Sequence, residues 1–210
     1  MQITRAEVIP IQLNRYHPIR FAGLEEIQHV TAIFVRVETR HGQTALGCTV
    51  AHPEFTGEKP ENVLQACQEC ADLVGDANPI NIEYSLDLLA THTKTSPAAM
   101  CAFDLVFHDL LGLAAGIPLY RILGGYRNRI QTSVTIPILP FDESIELARM
   151  RASQGFRILK IKGGLVPAED VRKVQAIHTV LPNHTLRLDA DGGYSINDAL
   201  DVCRALANIL

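Results

Sequence analysis

Apolar positions along the chain follow two rhythms. Up to Ala51 they fall mostly on alternate residues, the period of a strand with one covered face. Ile3, Val8, Ile9, Ile11 and Leu13 predict a strand from Gln2 to about Leu13. Thr31, Ile33, Val35 and Val37 share one face of a stronger strand, His29 to Thr39. Arg40-His41-Gly42-Gln43 has the composition of a hairpin turn, and Thr44 to Ala51 returns as a third strand. These predict an antiparallel meander ahead of any long helix. Asn14 to Gln28, between the first two strands, is polar and aromatic and reads as a long loop, a kind usually functional or disordered. Tyr16, His17 and Phe21 are its candidates for substrate contact, with a solvated loop histidine the alternative for His17.

Helical spacing follows. Pro60 opens a helix carrying Val63, Leu64, Cys67, Cys70 (or Ala71) and Val74, closed by Gly75. Asn81 to Thr91 predicts a second helix. Ser96 caps and Pro97 opens a third, Ala98 to Ala115, closed by Gly116 and apolar nearly all round. Its polar trio Asp104, His108 and Asp109 reads as hydrogen-bonded structure under a packed interface. Pro118 to Leu123 makes a short turn, and Tyr126 to Arg129 a linker. Beyond it, strand and helix patterns alternate. Gln131–Ile138, Phe156–Lys162 and Thr185–Asp189 read as strands, and Asp142–Gln154, Pro167–Val180 and Asn197–Asn208 as helices. That alternation implies parallel strands joined by helical crossovers. The expected fold is α/β: an α+β capping domain over residues 1–125, then the first strands of a (β/α) TIM-type barrel over 126–210.

Composition narrows the partners. Hydrophobic residues make up 47% and charged residues 20% of 210, with a net charge of −4. No Lys/Arg-rich run appears, which argues against nucleic acid or an anionic membrane as partner. The most apolar segment carries Asp104, His108 and Asp109 and reads as a buried helix rather than a membrane span. Five cysteines and no leader pattern suggest reduced thiols in the cytoplasm. Cys67 and Cys70 lie in a helical pattern with no second pair, so half-buried helix cysteines account for them better than zinc or redox chemistry. Nucleotide-binding, serine-hydrolase and zinc-protease signatures are absent.

The candidate chemistry sits at two strand ends. Alternation places Lys160 and Lys162 on one face of the first, just before Gly163-Gly164. It places Arg187, Asp189 and Asp191 together on the second, just before Gly192-Gly193. Two adjacent ammonium groups each favour the neutral amine in the other, a route to a lysine base near neutral pH. A base beside a hard-cation ligand suits removal of a proton alpha to a carboxylate. Solvated lysines at a strand end are the alternative. In barrels of this kind the chemistry lies at the carboxyl ends of strands.

Three segments carry a resemblance to a known family. They are Ala102-Phe103-Asp104-Leu105 with Gly116 through Gly125, Gly155-Phe156 with Lys160-Ile161-Lys162, and Leu186-Arg187-Leu188-Asp189-Ala190. In this order and separation they resemble the mandelate racemase and muconate-lactonizing branch of the enolase superfamily, sites of which use a Lys or His base with magnesium. The resemblance implies Mg2+ as cofactor, Lys162 as the base on one substrate face, Lys160 as the lysine supporting the carboxylate, and Asp189 as the first metal ligand. Asp191 stands where the family commonly has Asn, Gly192 where Gln is common, and Gly163-Gly164 departs from the usual apolar-Gly; Asp191 is a candidate substrate contact. The family barrel has eight strands and only about three fit before Leu210, so the remaining ligands and the opposite base are expected beyond it, in a longer protein.

The expected activity is magnesium-dependent proton abstraction alpha to a carboxylate through an enolate. A racemase or epimerase, such as a dipeptide epimerase, or a cycloisomerase leads. An acid-sugar dehydratase and a non-catalytic protein on the same fold are the alternatives. The expected partner is a small carboxylate substrate and the expected assembly a homo-oligomer.

Overall fold

The computed structural model describes residues 1–19, 22, 27–92 and 96–210, the side chains of 16–19 and 92 excepted. By contact the chain divides into two units: residues 1–14 with 29–128, and residues 15–28 with 129–210.

The first unit is α+β. Strands β1 (Ile3–Ile19), β2 (Ile27–Thr39) and β3 (Thr44–Val50), of which residues 15–19 and 27–28 fall in the second unit, form a sheet in that order. β2 and β3 are antiparallel, with Glu38 opposite Thr44 across the expected turn. Ile33, Val35 and Val37 are buried on the face that alternation assigned them. β1 runs six residues past the Leu13 end read from sequence, so much of the expected long loop is strand. Pro18 obscured this, yet β1 lies at the sheet edge, where a missing N–H is tolerated.

Helices α1 (Pro53–Thr56), α2 (Pro60–Leu73), α3 (Ile82–His92), α4 (Pro97–Ala115) and α5 (Leu119–Ile122) complete this unit. α4 packs on β3. Gly47 permits the approach, since a side chain there would run into the Ala102 carbonyl. α4 alone among the described residues is long and apolar enough to cross a membrane. Phe103, Val106, Phe107 and Leu110 are nonetheless fully buried in this unit's core. The expectation that this apolar helix is buried on most sides is corrected: Leu105 and Leu113 are each 43% exposed. His108 Nδ1 lies 3.0 Å from the Asp104 carbonyl oxygen, and Asp109 accepts the Leu46 N–H at 3.3 Å. Cys67 and Cys70 are fully buried rather than half-buried, and burial pushes the Cys67 thiol up to about 12, far from a reactive thiolate.

The second unit is a parallel sheet, β4 (Val134–Ile136), β5 (Ile158–Lys162) and β6 (Thr185–Asp189) in that order. Helices α6 (Phe141–Ser153), α7 (Pro167–Val180) and α8 (Ile196–Leu206) connect and follow the strands. Leu159, Ile161 and Leu186 face a core completed by Ala148, Val174, Ile177, Val202 and Leu206 from the helices. The opposite residues of β5 and β6 are thereby directed to the other side of the sheet. β4 keeps only three residues of the run Gln131 to Ile138. A sequence division at residue 125 assigns 15–28 to the cap; by contact this segment belongs with 129–210.

Candidate active site at the ends of β5 and β6

Parallel register sets Lys160 opposite Arg187 and Lys162 opposite Asp189. The two charged faces inferred from alternation therefore coincide. Lys160 Nζ lies 2.6 Å from Asp189 Oδ2, and Lys162 Nζ lies 3.1 Å from the same oxygen. Lys162 Nζ also donates to Asp191 Oδ1 at 2.6 Å. The other Asp189 oxygen, Oδ1, accepts the Asp191 backbone N–H at 3.1 Å. Asp191 holds φ at 48°, the left-handed region that a non-glycine residue seldom adopts. Its Oδ2 is buried and has no hydrogen-bond partner among the described residues.

Lys162 is nearly buried, whereas about a third of the Lys160 and Asp189 side chains is exposed. The Lys160 hydrogen bond, opposed by burial and joined by Lys162, holds the Asp189 carboxyl well below the usual carboxylate range. Burial pulls the Lys162 amine down, but hydrogen bonds and charge from Asp191 and Asp189 outweigh it and raise Lys162 above its ordinary value. The expected drift of this lysine toward a neutral amine is thus corrected: its carboxylate partners favour the ammonium. Two carboxylates at the facing strand end reverse the effect of a neighbouring lysine.

The structure gathers Lys160, Lys162, Asp189 and Asp191 at one place. Of the other sequence candidates, Phe21 lies outside the described residues, and so do the side chains of Tyr16 and His17. Sequence reasoning missed Asp170 and Tyr194, whose side chains meet just behind the two strand ends. Asp170 reads only as an acidic residue in the first turn of α7, with nothing in the pattern to turn it inward.

A family model for the mandelate racemase / muconate lactonizing enzyme N-terminal domain matches residues 4–124. One for the enolase C-terminal domain-like region matches residues 143–210. The chain belongs to the mandelate racemase and muconate-lactonizing branch of the enolase superfamily. Within this branch, a hydrophobic dipeptide epimerase from Enterococcus faecalis is 31% identical over 187 residues, 89% of this chain and 53% of that protein. An L-Lys-D/L-Arg epimerase from Desulforapulum autotrophicum is 32% identical over 190 residues, 90% of this chain and 53% of that protein. The crystal structure of the Enterococcus faecalis V583 dipeptide epimerase, complexed with Mg and L-Leu-L-Tyr, superposes with a TM-score of 0.93 at 30% identity. That match covers 99% of this chain and 59% of the other. The chain spans about half the length of the curated relatives it matches, 53% in both cases.

Proposed function

We propose that the protein carrying this chain is a magnesium-dependent epimerase or racemase that moves the proton alpha to a carboxylate, with a dipeptide as substrate. The observation that carries the reading is the convergence of Lys160 and Lys162 on Asp189 at the carboxyl ends of adjacent parallel strands. The epimerase character of the curated relatives supports it.

The donor chemistry fits one corner of a magnesium site. Asp189 is a hard oxygen donor kept ionised by its lysines, as magnesium prefers. Among the described residues no group of three His, Cys, Asp or Glu side chains is gathered for a metal, and Asp189 is the ligand assigned from them. When bound, magnesium would stabilise the negative charge that develops on the substrate carboxylate as the proton leaves.

The chain's own residues divide the remaining work. Lys160, the more exposed lysine, presents a cation to the same carboxylate and fixes its orientation. Lys162 exchanges a proton with the alpha carbon on one face. As the ammonium it gives that proton and in the reverse direction its amine takes it back, while the proton on the opposite face is taken or given by a second base, expected in the part of the protein that this chain does not span. Asp191 holds Lys162 in place from the β6 side.

The test uses the intact protein carrying this chain, in deuterated solvent with magnesium. The substrates are dipeptides bound by relatives, L-Leu-L-Tyr, D-Ala-L-Val and L-Arg-D-Lys, and the epimers of each. At least one is expected to take up deuterium at the alpha position, and chelation of magnesium to stop it. Lys162→Ala is expected to abolish uptake from one epimer and spare the other. Asp189→Asn is expected to weaken magnesium binding in calorimetry. Equal loss from both epimers in folded protein makes Lys162 a structural lysine, and unchanged calorimetry removes Asp189 as a ligand.

A further inference from the structure

Behind the two strand ends lies a buried carboxylate that the proposed proton transfer does not use. Asp170, in the first turn of α7, is 3% exposed. Its Oδ2 accepts the Gly164 N–H at 2.8 Å and the Tyr194 O–H at 2.7 Å. A single oxygen therefore ties the loop after β5 to the loop after β6. A buried carboxylate is costly unless hydrogen-bonded, and these two donors meet that need. Burial, reinforced by the Asp170 carboxylate, pushes the Tyr194 phenol above its usual range and keeps it a donor.

The glycines around this oxygen fit it closely. A side chain at Gly163 would stand 2.6 Å from the Asp170 carboxylate. One at Gly193 would run into the Gly164 carbonyl and stand 2.6 Å from the Ala22 Cβ. The two loops are thus in backbone contact, with the carboxylate as their common acceptor. Lys162 immediately precedes Gly163, and Asp191 lies three residues before Tyr194, so each leaves its strand through a tied loop. Asp191 also needs an outside restraint, because its left-handed backbone is disfavoured by itself.

We infer that Asp170 and Tyr194 are positioning residues, whose hydrogen bond, with that from Gly164 to the same carboxylate, locks the two loops together and holds Lys162 against Asp191. The consequence for catalysis rests on the proton-transfer reading above; the clasp itself rests on geometry alone. A lysine displaced by a fraction of an ångström no longer meets the alpha carbon squarely, and turnover suffers more than binding.

The test compares Tyr194→Phe, Asp170→Ala and Asp170→Asn in the intact protein carrying this chain. The first removes one donor, the second removes the acceptor, and the third keeps a carbonyl oxygen in its place. Amide hydrogen exchange is expected to quicken roughly tenfold in residues 163–166 and 190–194 of the first two, with β5 and β6 unchanged and Asp170→Asn near the parent. For whichever dipeptide the parent turns over, kcat is expected to fall roughly tenfold with KM within about twofold, and Asp170→Asn to recover most of it. Unchanged amide exchange in folded Tyr194→Phe overturns the clasp. A lower melting temperature with kcat and KM both unchanged overturns the positioning role. Should the parent turn over no dipeptide, the proton-transfer reading fails and amide exchange still decides the clasp.

Discussion

At Gly164 the backbone takes φ +102°, and a side chain would run into the Ala190 carbonyl and crowd the Ala22 Cβ. Neither obstacle is the free end of a flexible chain. Gly164→Ala is therefore expected to cost roughly 2–4 kcal/mol, combining backbone strain with an overpacked contact. A denaturant melt measures it, and a loss under about 0.5 kcal/mol would mean that the loops part easily. The paired glycines were visible in the sequence as strand ends. Their real constraint was not, because it comes from a second loop some thirty residues on. The placement of Lys160, Lys162 and Asp189 was legible from parity alone, since a period of two leaves no choice of face. The upward shift of Lys162 was not, because it depends on how Asp191 lies across the strand pair. That pairing follows from register and a left-handed residue, and neither is written in a local pattern.

Elements with strong end signals were read nearly to the residue. α2, α4 and α7 each begin at a proline whose missing N–H has no partner to lose, and α4 ends at Gly116 in the left-handed conformation. Strand ends were read less well. β1 outran its forecast through Pro18, and β4 kept three residues, since strand length is set by the neighbour that pairs and not by propensity. α4 offers a test at this scale. Ser96 accepts the Ala99 N–H at 3.2 Å and donates to Glu58 at 2.6 Å, while Glu58 also accepts the Ala98 N–H at 3.3 Å. Ser96→Ala removes the cap and one of the partners of a carboxylate, so about 1–2 kcal/mol of stability is expected to go. Denaturant unfolding reads the change, and Glu58→Gln combined with it is expected to cost less than the sum of the two. Strict additivity would show that serine and glutamate act on the helix separately.

For the molecule as a whole, the notable feature is that residues 15–28 belong by contact with residues 129–210 and not with their neighbours in sequence. Ala22 meets Gly164 and Gly193, partners well over a hundred positions further along the chain. On the ribosome, Ala22 emerges before either glycine loop and has neither to dock on until both have left the exit tunnel. The first sheet can assemble as it appears, but this segment has to wait, which sets a fixed order of events during synthesis. An Ala22→Cys thiol in stalled nascent chains is expected to react freely with a maleimide until the stall point lies well beyond Gly193, and to slow sharply after it. Early protection, with β6 still unmade, would mean that the segment finds its seat by another route. The same delay makes the seat of Ala22 one that is filled only after its partners are made, although Ala22 itself is translated well before them.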